Sequence, residues 1–257
     1  MKIAIIGAGN MGGATARGLA STGEYDIRVS NPSQGKLDAL KAEFPAIDIF
    51  SDNKVCATGA DLVVLCVKPW KIEGVISELL PTLTQDTIIA SMAAGITCAE
   101  ITSMLGTERP VYQVIPNTAI AQGQSMTFIT GINSTEALDA TILSIFNKLG
   151  KAMLIEERQM AAGMSLASCG IAYVFRYIRA AMEGGIELGL YPAQAKEVML
   201  QTLKGAVSVL EANGTHPEQE IDRVTTPGGF TIRGLNAMEA NGFTTAVIEG
   251  LKASAKK

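Results

Sequence analysis

The sequence predicts a doubly wound α/β sheet domain over residues 1–156, followed by an all-helical domain over residues 157–257. Three observations carry that prediction. Short β-rich runs alternate with helical patterns as far as Glu156. The runs are continuously apolar, as strands are when helices cover both faces of a sheet. Beyond Glu156 the strand signals stop, and apolar residues recur at helical spacings of four and three.

KIAIIG (2–7) is the first strand, and NMGGATARGLASTG (10–23) is a helix ending in glycine, the usual residue at a helix C-terminus. DIRVS (26–30) leads into SQGKLDALKAEF (33–44), and AIDIF (46–50) follows as a short strand. DLVVLCV (61–67) and KIEGVISELLPTL (71–83) form the next strand and helix, then TIIASMA (87–93) and CAEITSMLG (98–106). VYQVIP (111–116) and SMTFITG (125–131) precede the helix STEALDATILSIFNKLG (134–150), and KAMLIE (151–156) closes the sheet. In the second domain Met160, Met164, Ala167, Ile171, Val174, Ile178 and Ala181 predict one helical stripe. Residues 193–214 predict a second long helix with Val198, Thr202, Ala206 and Val209 on one face, and residues after Gly229 a third. About a hundred residues of helix hide little apolar surface, so self-association as a homodimer or a higher homo-oligomer is expected.

A chain of 257 residues that is 47% hydrophobic has ample material for a packed core. Its net charge of -4, with no Lys/Arg run apart from the terminal Lys256 and Lys257, argues against nucleic acid and for a small metabolite. No stretch is read as the roughly eighteen uncharged apolar residues that a membrane span needs. The opening MKIAIIGAGNMGG has the short apolar run of a signal peptide, but its glycines fit a turn better, and a cytoplasmic protein is expected. Cys56, Cys66, Cys98 and Cys169 lack C-x-x-C spacing, so reduced, mostly buried thiols and no metal site are expected.

IAIIGAGNMGG places Gly7, Gly9 and Gly12 as G-x-G-x-x-G between a strand and a helix, the context of a Rossmann dinucleotide turn that also includes Ala8, Asn10 and Met11. Gly7 permits the tight turn, Gly9 the approach of a pyrophosphate, and Gly12 close helix–strand packing. The second strand ends without the acidic residue of an NAD-selective site. Asn31, Ser33, Gln34 and Lys36 stand there instead and favour NADPH over NADH. Ser33 could equally cap a helix. Val67, Lys68 and Pro69 after the fourth strand, and Ala93, Ala94 and Gly95 after the fifth, face the same crevice, where Lys68 suits a phosphate or ribose and the small residues leave room for a nicotinamide. A solvent-facing terminator and tight helix packing are the competing readings.

The chain has a single histidine, His216, in a polar turn before Pro217. Scarcity of such proton donors suits reduction of a C=N bond, since a protonated imine already carries its activating charge and the amine keeps the proton. TTPGGFTIRGL (225–235) joins a proline-fixed turn to a helix start and would aim the backbone amides around Gly228 and Gly229 at a small carboxylate, with Thr226 and Thr231 as flanking hydroxyls. The alternative is a plain N-cap at Thr225 or Thr226.

With GAGNMGGA, VKP, SMAAGIT, VIPNT, AYVF and above all VTTPGGFTIRGLNAMEANG, the whole chain resembles the pyrroline-5-carboxylate reductases. The resemblance implies reduction of the cyclic imine 1-pyrroline-5-carboxylate to L-proline with NAD(P)H, the last step of proline biosynthesis. It also implies an active site between a Rossmann domain and an interlocked helical dimer. By position it implies that Gly229, Phe230 and Thr231 hold the substrate carboxylate, with the Thr231 hydroxyl as proton relay. Glu157 corresponds to an acidic pocket residue, or to a carboxylate favoured at a helix N-terminus. Asn53 corresponds to an adenosine contact, or to a helix cap. Ser168, Cys169, Gly170 and Ile171 stand where the family usually reads Gly-Ser-Gly-Pro, and Phe230 where a small residue is usual, which makes a related cyclic imine conceivable as substrate. Two other readings are a hydroxyacid dehydrogenase of the 6-phosphogluconate type, whose catalytic lysine is missing from the first interdomain helix, and a non-catalytic NADP(H)-sensing regulator.

Overall fold

Ile3 and Ile5 of the first strand point to one side of the sheet and Ala4 and Ile6 to the other, and all four are fully buried. That two-sided burial is why the run is apolar without a break. In the computed structural model, which describes residues 1–255, the strands are β1 (Lys2–Ile6), β2 (Asp26–Ser30), β3 (Asp48–Phe50), β4 (Leu62–Leu65), β5 (Ile88–Ser91), β6 (Val111–Ile115), β7 (Ser125–Ile132) and β8 (Gly150–Leu154). They form one sheet in the order β3-β2-β1-β4-β5-β6-β7-β8. Neighbours run parallel except β6 and β7, which are antiparallel. The predicted strands are thus all present in a doubly wound arrangement. Lys256 and Lys257, the basic pair of the sequence, lie outside the described residues.

The crossing helices are α1 (Asn10–Thr22), α2 (Gln34–Glu43), α3 (Asn53–Ala57), α4 (Ile72–Leu79), α5 (Cys98–Leu105) and α6 (Glu136–Asn147). Leu19 of α1 and Ile142, Ile145 and Phe146 of α6 close one face of the sheet. Ile72, Ile76 and Leu79 of α4, with Ile101 and Leu105 of α5, close the other. The chain leaves β1 towards β2 and β3, then returns to place β4 on the opposite flank of β1. The carboxyl ends of β1 and β4 therefore border the switch-point crevice where ligands of such sheets bind.

Thr97 opens α5 with a capping box: its hydroxyl accepts from Glu100 N at 3.2 Å, and its own amide donates to the Glu100 carboxylate at 2.7 Å. Thr97→Ala is expected to lower stability by about 1 kcal/mol, read from denaturant midpoints at unchanged slope.

Two compact units make up the chain, the first covering Met1–Ser168 and the second beginning at Cys169. A helical run from Glu157 to Glu187 bridges the boundary in sequence: a 3-10 turn, α7 (Met160–Gly163), a π-helical segment (Met164–Cys169) and α8 (Gly170–Glu187). This corrects one expectation. The π turn lies within the predicted stripe: Met160, Met164 and Ala167 pack with Ile115 and Phe128 of the first unit, Ile171, Ile178 and Ala181 are half-buried, and Val174 is exposed. Val174 alone of the seven stripe residues is thus exposed. The expectation that no stretch could span a membrane is the one corrected: by length and composition the run could, its most apolar eighteen residues having a mean hydropathy of 1.2, because no charged residue lies between Arg158 and Arg176.

The second unit continues with α9 (Pro192–Asn213), α10 (Pro217–Val224), α11 (Phe230–Ala240) and α12 (Phe243–Ala255). Of its described residues only Gly170 and Ala195 are buried, while Phe175, Val198, Val207 and Ile248 are exposed. The polar turn expected around His216 is instead the start of α10. The His216 ring accepts from Glu218 N at 3.3 Å, and Pro217 takes the first helical position, where its missing N–H costs nothing.

Candidate functional site

Gly7 leaves β1 at φ +107, and a Cβ built there would lie 2.7 Å from the Cys66 carbonyl oxygen. At Gly12, inside α1, a Cβ would run into the Gly7 carbonyl oxygen and come within 2.8 Å of the Cys66 Cβ. These two glycines let β1, β4 and α1 close on one another. Gly9 is different: nothing lies within 4 Å of its missing side chain, and it opens α1 without any side-chain cap or acidic residue in the first turn. The first amides of α1 thus have no side-chain acceptor and a favourable dipole for an anion.

Gly7 and Gly9 border a cleft of about 690 Å³. It brings together the predicted Gly7, Gly9, Asn10, Met11, Asn31, Asn53, Val67, Lys68, Pro69, Ala93 and Ala94. Pro32, Lys36, Cys66, Lys71, Val75 and Met92 complete the wall. Three of these residues, Lys36, Lys68 and Lys71, are cations and none is a carboxylate, so the cleft is locally positive in a chain of net charge -4. The fit to a dinucleotide rests on the uncapped helix start at the open Gly9 and on these lysines near the end of an acid-free β2.

Five predicted cofactor residues are not on the wall, among them Gln34, whose side-chain amide donates to the Asp38 carboxylate at 2.8 Å. The Ala8 amide donates to Asn31 Oδ1 at 3.0 Å, tying the glycine turn to the end of β2. Gly12 is buried under that turn. Ser33 occupies the N-cap position of α2 without a side-chain bond, its carbonyl accepting from the Asn31 side-chain Nδ2 at 3.3 Å. Gly95, at φ +82, lies just beyond the wall and turns the chain towards α5.

Asn53 is the first residue of α3, but Asp52 does the capping, accepting from Lys54 N at 2.7 Å and Val55 N at 3.1 Å. The Asn53 amide instead accepts from the Ser30 hydroxyl at 2.7 Å and donates to the Glu78 carboxylate at 2.9 Å. Burial pushes the thiols of Cys56 and Cys66 up to about 12, so both stay protonated at neutral pH. The Cys98 thiol is raised to about 11, by burial and by the negative charge of Glu157. Glu157 itself is exposed at the start of the 3-10 turn, in the first unit.

The other predicted residues form a turn in the second unit. Gly229 N donates to the Thr226 carbonyl at 2.9 Å, Gly228 takes φ +69, and Gly229 occupies the N-cap position of α11 without a side-chain bond. The cap is thus Gly229 and not Thr225 or Thr226. The Thr226 hydroxyl would lie only 2.5 Å from a Cβ at Gly229, which keeps that position bare. Thr231, in the first turn of α11, is exposed. Phe230 is 89% exposed, its ring 5.0 Å from the Arg233 guanidinium, which donates to the carbonyls of Gly228 and Gly229 at 3.2 Å. Arg233 therefore occupies the carbonyl side of the turn; the Gly229 amide, expected on the substrate carboxylate, is spent on Thr226, and the amides of Phe230 and Thr231 stay open. In the π segment Ser168 donates to the Pro116 carbonyl at 2.8 Å, which fixes the first of the four unusual residues at 168–171.

Sequence reasoning missed Cys66, Met92, Lys71, Val75 and Arg233. Cys66 and Met92 each directly precede a predicted wall residue, Val67 and Ala93, at the carboxyl end of a parallel strand. Position was the available signal.

Residues 157–257 match the family model for pyrroline-5-carboxylate reductase dimerisation, and residues 2–95 match that of the NADP oxidoreductases described as coenzyme F420-dependent. Pyrroline-5-carboxylate reductase 2 of Dictyostelium discoideum is 38% identical, over 100% of this chain and 91% of its own length. The Escherichia coli enzyme is 33% identical over 97% and 94%. Plasmodium falciparum pyrroline carboxylate reductase, solved with NADP bound, superposes with a TM-score of 0.91 at 27% identity, covering 99% of this chain and 95% of that one. Such likeness in sequence and fold from end to end means that the chain belongs to the pyrroline-5-carboxylate reductase family.

Proposed function

We propose that the protein reduces 1-pyrroline-5-carboxylate to L-proline with NAD(P)H, as the last step of proline biosynthesis. The observation that carries this reading is the 226–231 turn, a helix start with amides open on one side and threonine hydroxyls beside them. The one histidine is occupied as a helix cap, in keeping with an imine that needs no histidine to activate it. When bound, reduced nicotinamide supplies the hydride that the imine carbon accepts. The chain's own part is to hold the substrate carboxylate on the amides of Phe230 and Thr231, with Gly229, whose own amide is spent on the Thr226 carbonyl, giving it room, and to keep the Thr231 hydroxyl at the ring nitrogen as proton relay. Thr226 and Gly228 shape that turn, and Glu157 serves as an acidic pocket residue. Mixing protein, NADPH and 1-pyrroline-5-carboxylate should consume the reduced-nicotinamide absorbance with formation of proline; no consumption with either NADPH or NADH would overturn the proposal. A hydroxyacid dehydrogenase is disfavoured because α8 contains arginines but no lysine.

The cleft favours NADPH over NADH, with Asn31, Ser33 and Lys36 at the 2′-phosphate, Asn53 on the adenosine, and Lys68 on phosphate or ribose. Lys36→Ala is expected to raise Kd for NADPH about tenfold and leave that for NADH unchanged. Quenching of Trp70 emission reads both, since this single tryptophan sits between the wall residues Pro69 and Lys71. The scant burial in the second unit supports residues 157–257 as a homodimerisation and substrate domain, with assembly beyond the dimer as its extension. A cytoplasmic enzyme acting on a small molecule, away from nucleic acid and membrane, completes the reading. The apolar run from Glu157 to Glu187 then faces protein and not lipid.

A further inference from the structure

Glu78 belongs to α4, whose Ile72, Ile76 and Leu79 are buried against the sheet, and its carboxylate is turned to the Asn53 amide at 2.9 Å. A carboxylate only accepts hydrogen bonds, so Asn53 must present its N–H₂ end there. The Asn53 carbonyl oxygen then faces Ser30, and the Ser30 hydroxyl, fully buried at the end of β2, must donate to it at 2.7 Å. The donor and acceptor directions from Ser30 to Asn53 are thereby set from one end, by Glu78. An amide alone could flip; this one cannot without facing a lone pair with a lone pair.

Since Asp52 already caps α3, the Asn53 side chain has no helix-capping duty. It lines the cleft with one amide hydrogen and one carbonyl lone pair uncommitted to Ser30 and Glu78. We propose that Glu78 is a positioning residue for the dinucleotide, acting through Asn53 by fixing the orientation in which that amide meets the adenosine half. The proposal rests on the reading that NAD(P)H occupies the cleft with its adenosine against Asn53.

The test uses the full chain and NADPH, with Kd read from Trp70 quenching and checked by calorimetry. Glu78→Ala should raise Kd about tenfold, the effect of one lost hydrogen bond to a charged group. Glu78→Gln retains an acceptor oxygen for the Asn53 N–H and should bind nearly as tightly as the parent. Asn53→Ala should weaken binding at least as much as Glu78→Ala, and the double variant should bind no more weakly than Asn53→Ala alone. Parental affinity in Glu78→Ala with weak binding in Asn53→Ala overturns the role of Glu78 alone. Parental affinity in Asn53→Ala overturns the adenosine contact, and the role of Glu78 with it. Additive losses in the double variant, or Glu78→Gln as weak as Glu78→Ala, also overturn the proposal, since Glu78 would then act by charge or by packing.

Discussion

Gly12→Val is expected to weaken NADPH binding by at least ~100-fold and to lower stability by about 3 kcal/mol. The cause is local and steric. A first side-chain carbon at residue 12 would strike the Gly7 carbonyl oxygen and press on the Cys66 Cβ, and neither is the movable end of a flexible chain. The oxygen is backbone in a residue held at φ +107, and Cys66 directly follows the last residue of β4. Relief must come from α1 moving away from the sheet, which carries its N-terminal amides out of the cleft. Gly9→Ala is the control. Its Cβ meets nothing within 4 Å, so that variant should melt like the parent and lose affinity only by crowding the ligand. A fluorescence titration and a thermal melt on both variants separate the two roles, and equal melting temperatures would refute the packing role of Gly12.

Thr231→Ala is expected to lower kcat by about 10²-fold with little change in Kd for NADPH, because the hydroxyl belongs to the substrate turn and not to the cleft wall. Thr231 sits in the first turn of α11, and its hydroxyl makes no hydrogen bond among the described residues. Thr231→Ser keeps the hydroxyl and should restore most of the turnover. Steady-state rates of the three proteins at saturating NADPH decide the matter, and an undiminished rate in Thr231→Ala would remove the residue from the proton's route.

The sheet was legible because its strands are buried on both faces: runs such as LVVL of β4 announce themselves by composition alone. Shorter or more polar elements were not. The five residues of α3 are too few for a helical period to emerge, and α10, PEQEIDRV, is polar enough to read as a turn. Its start was nonetheless encoded, in a histidine before a proline. The π segment lies beyond pattern reading, since spacings of four and three fit a continuous α-helix equally well. In the cleft, glycine spacing and strand ends found the residues that depend on backbone geometry. They did not find Glu78, which meets Asn53 across 25 residues of chain through the packing of α4 beside α3. Phe230 could be placed only by the structure: its ring turns out to Arg233 and leaves the amides of its own turn unobstructed.

The near absence of buried residues after Cys169 bears on the life of a newly made chain. The sheet unit is complete in sequence before the last helices leave the ribosome, so it can fold while they are still being synthesised. Much of the apolar surface of those helices is left exposed in one copy and is covered by meeting another, a step that is second order in protein. Dilution should therefore unravel the carboxyl-terminal helices before it touches the nucleotide fold, and a defective copy would spoil the sound copy that it pairs with.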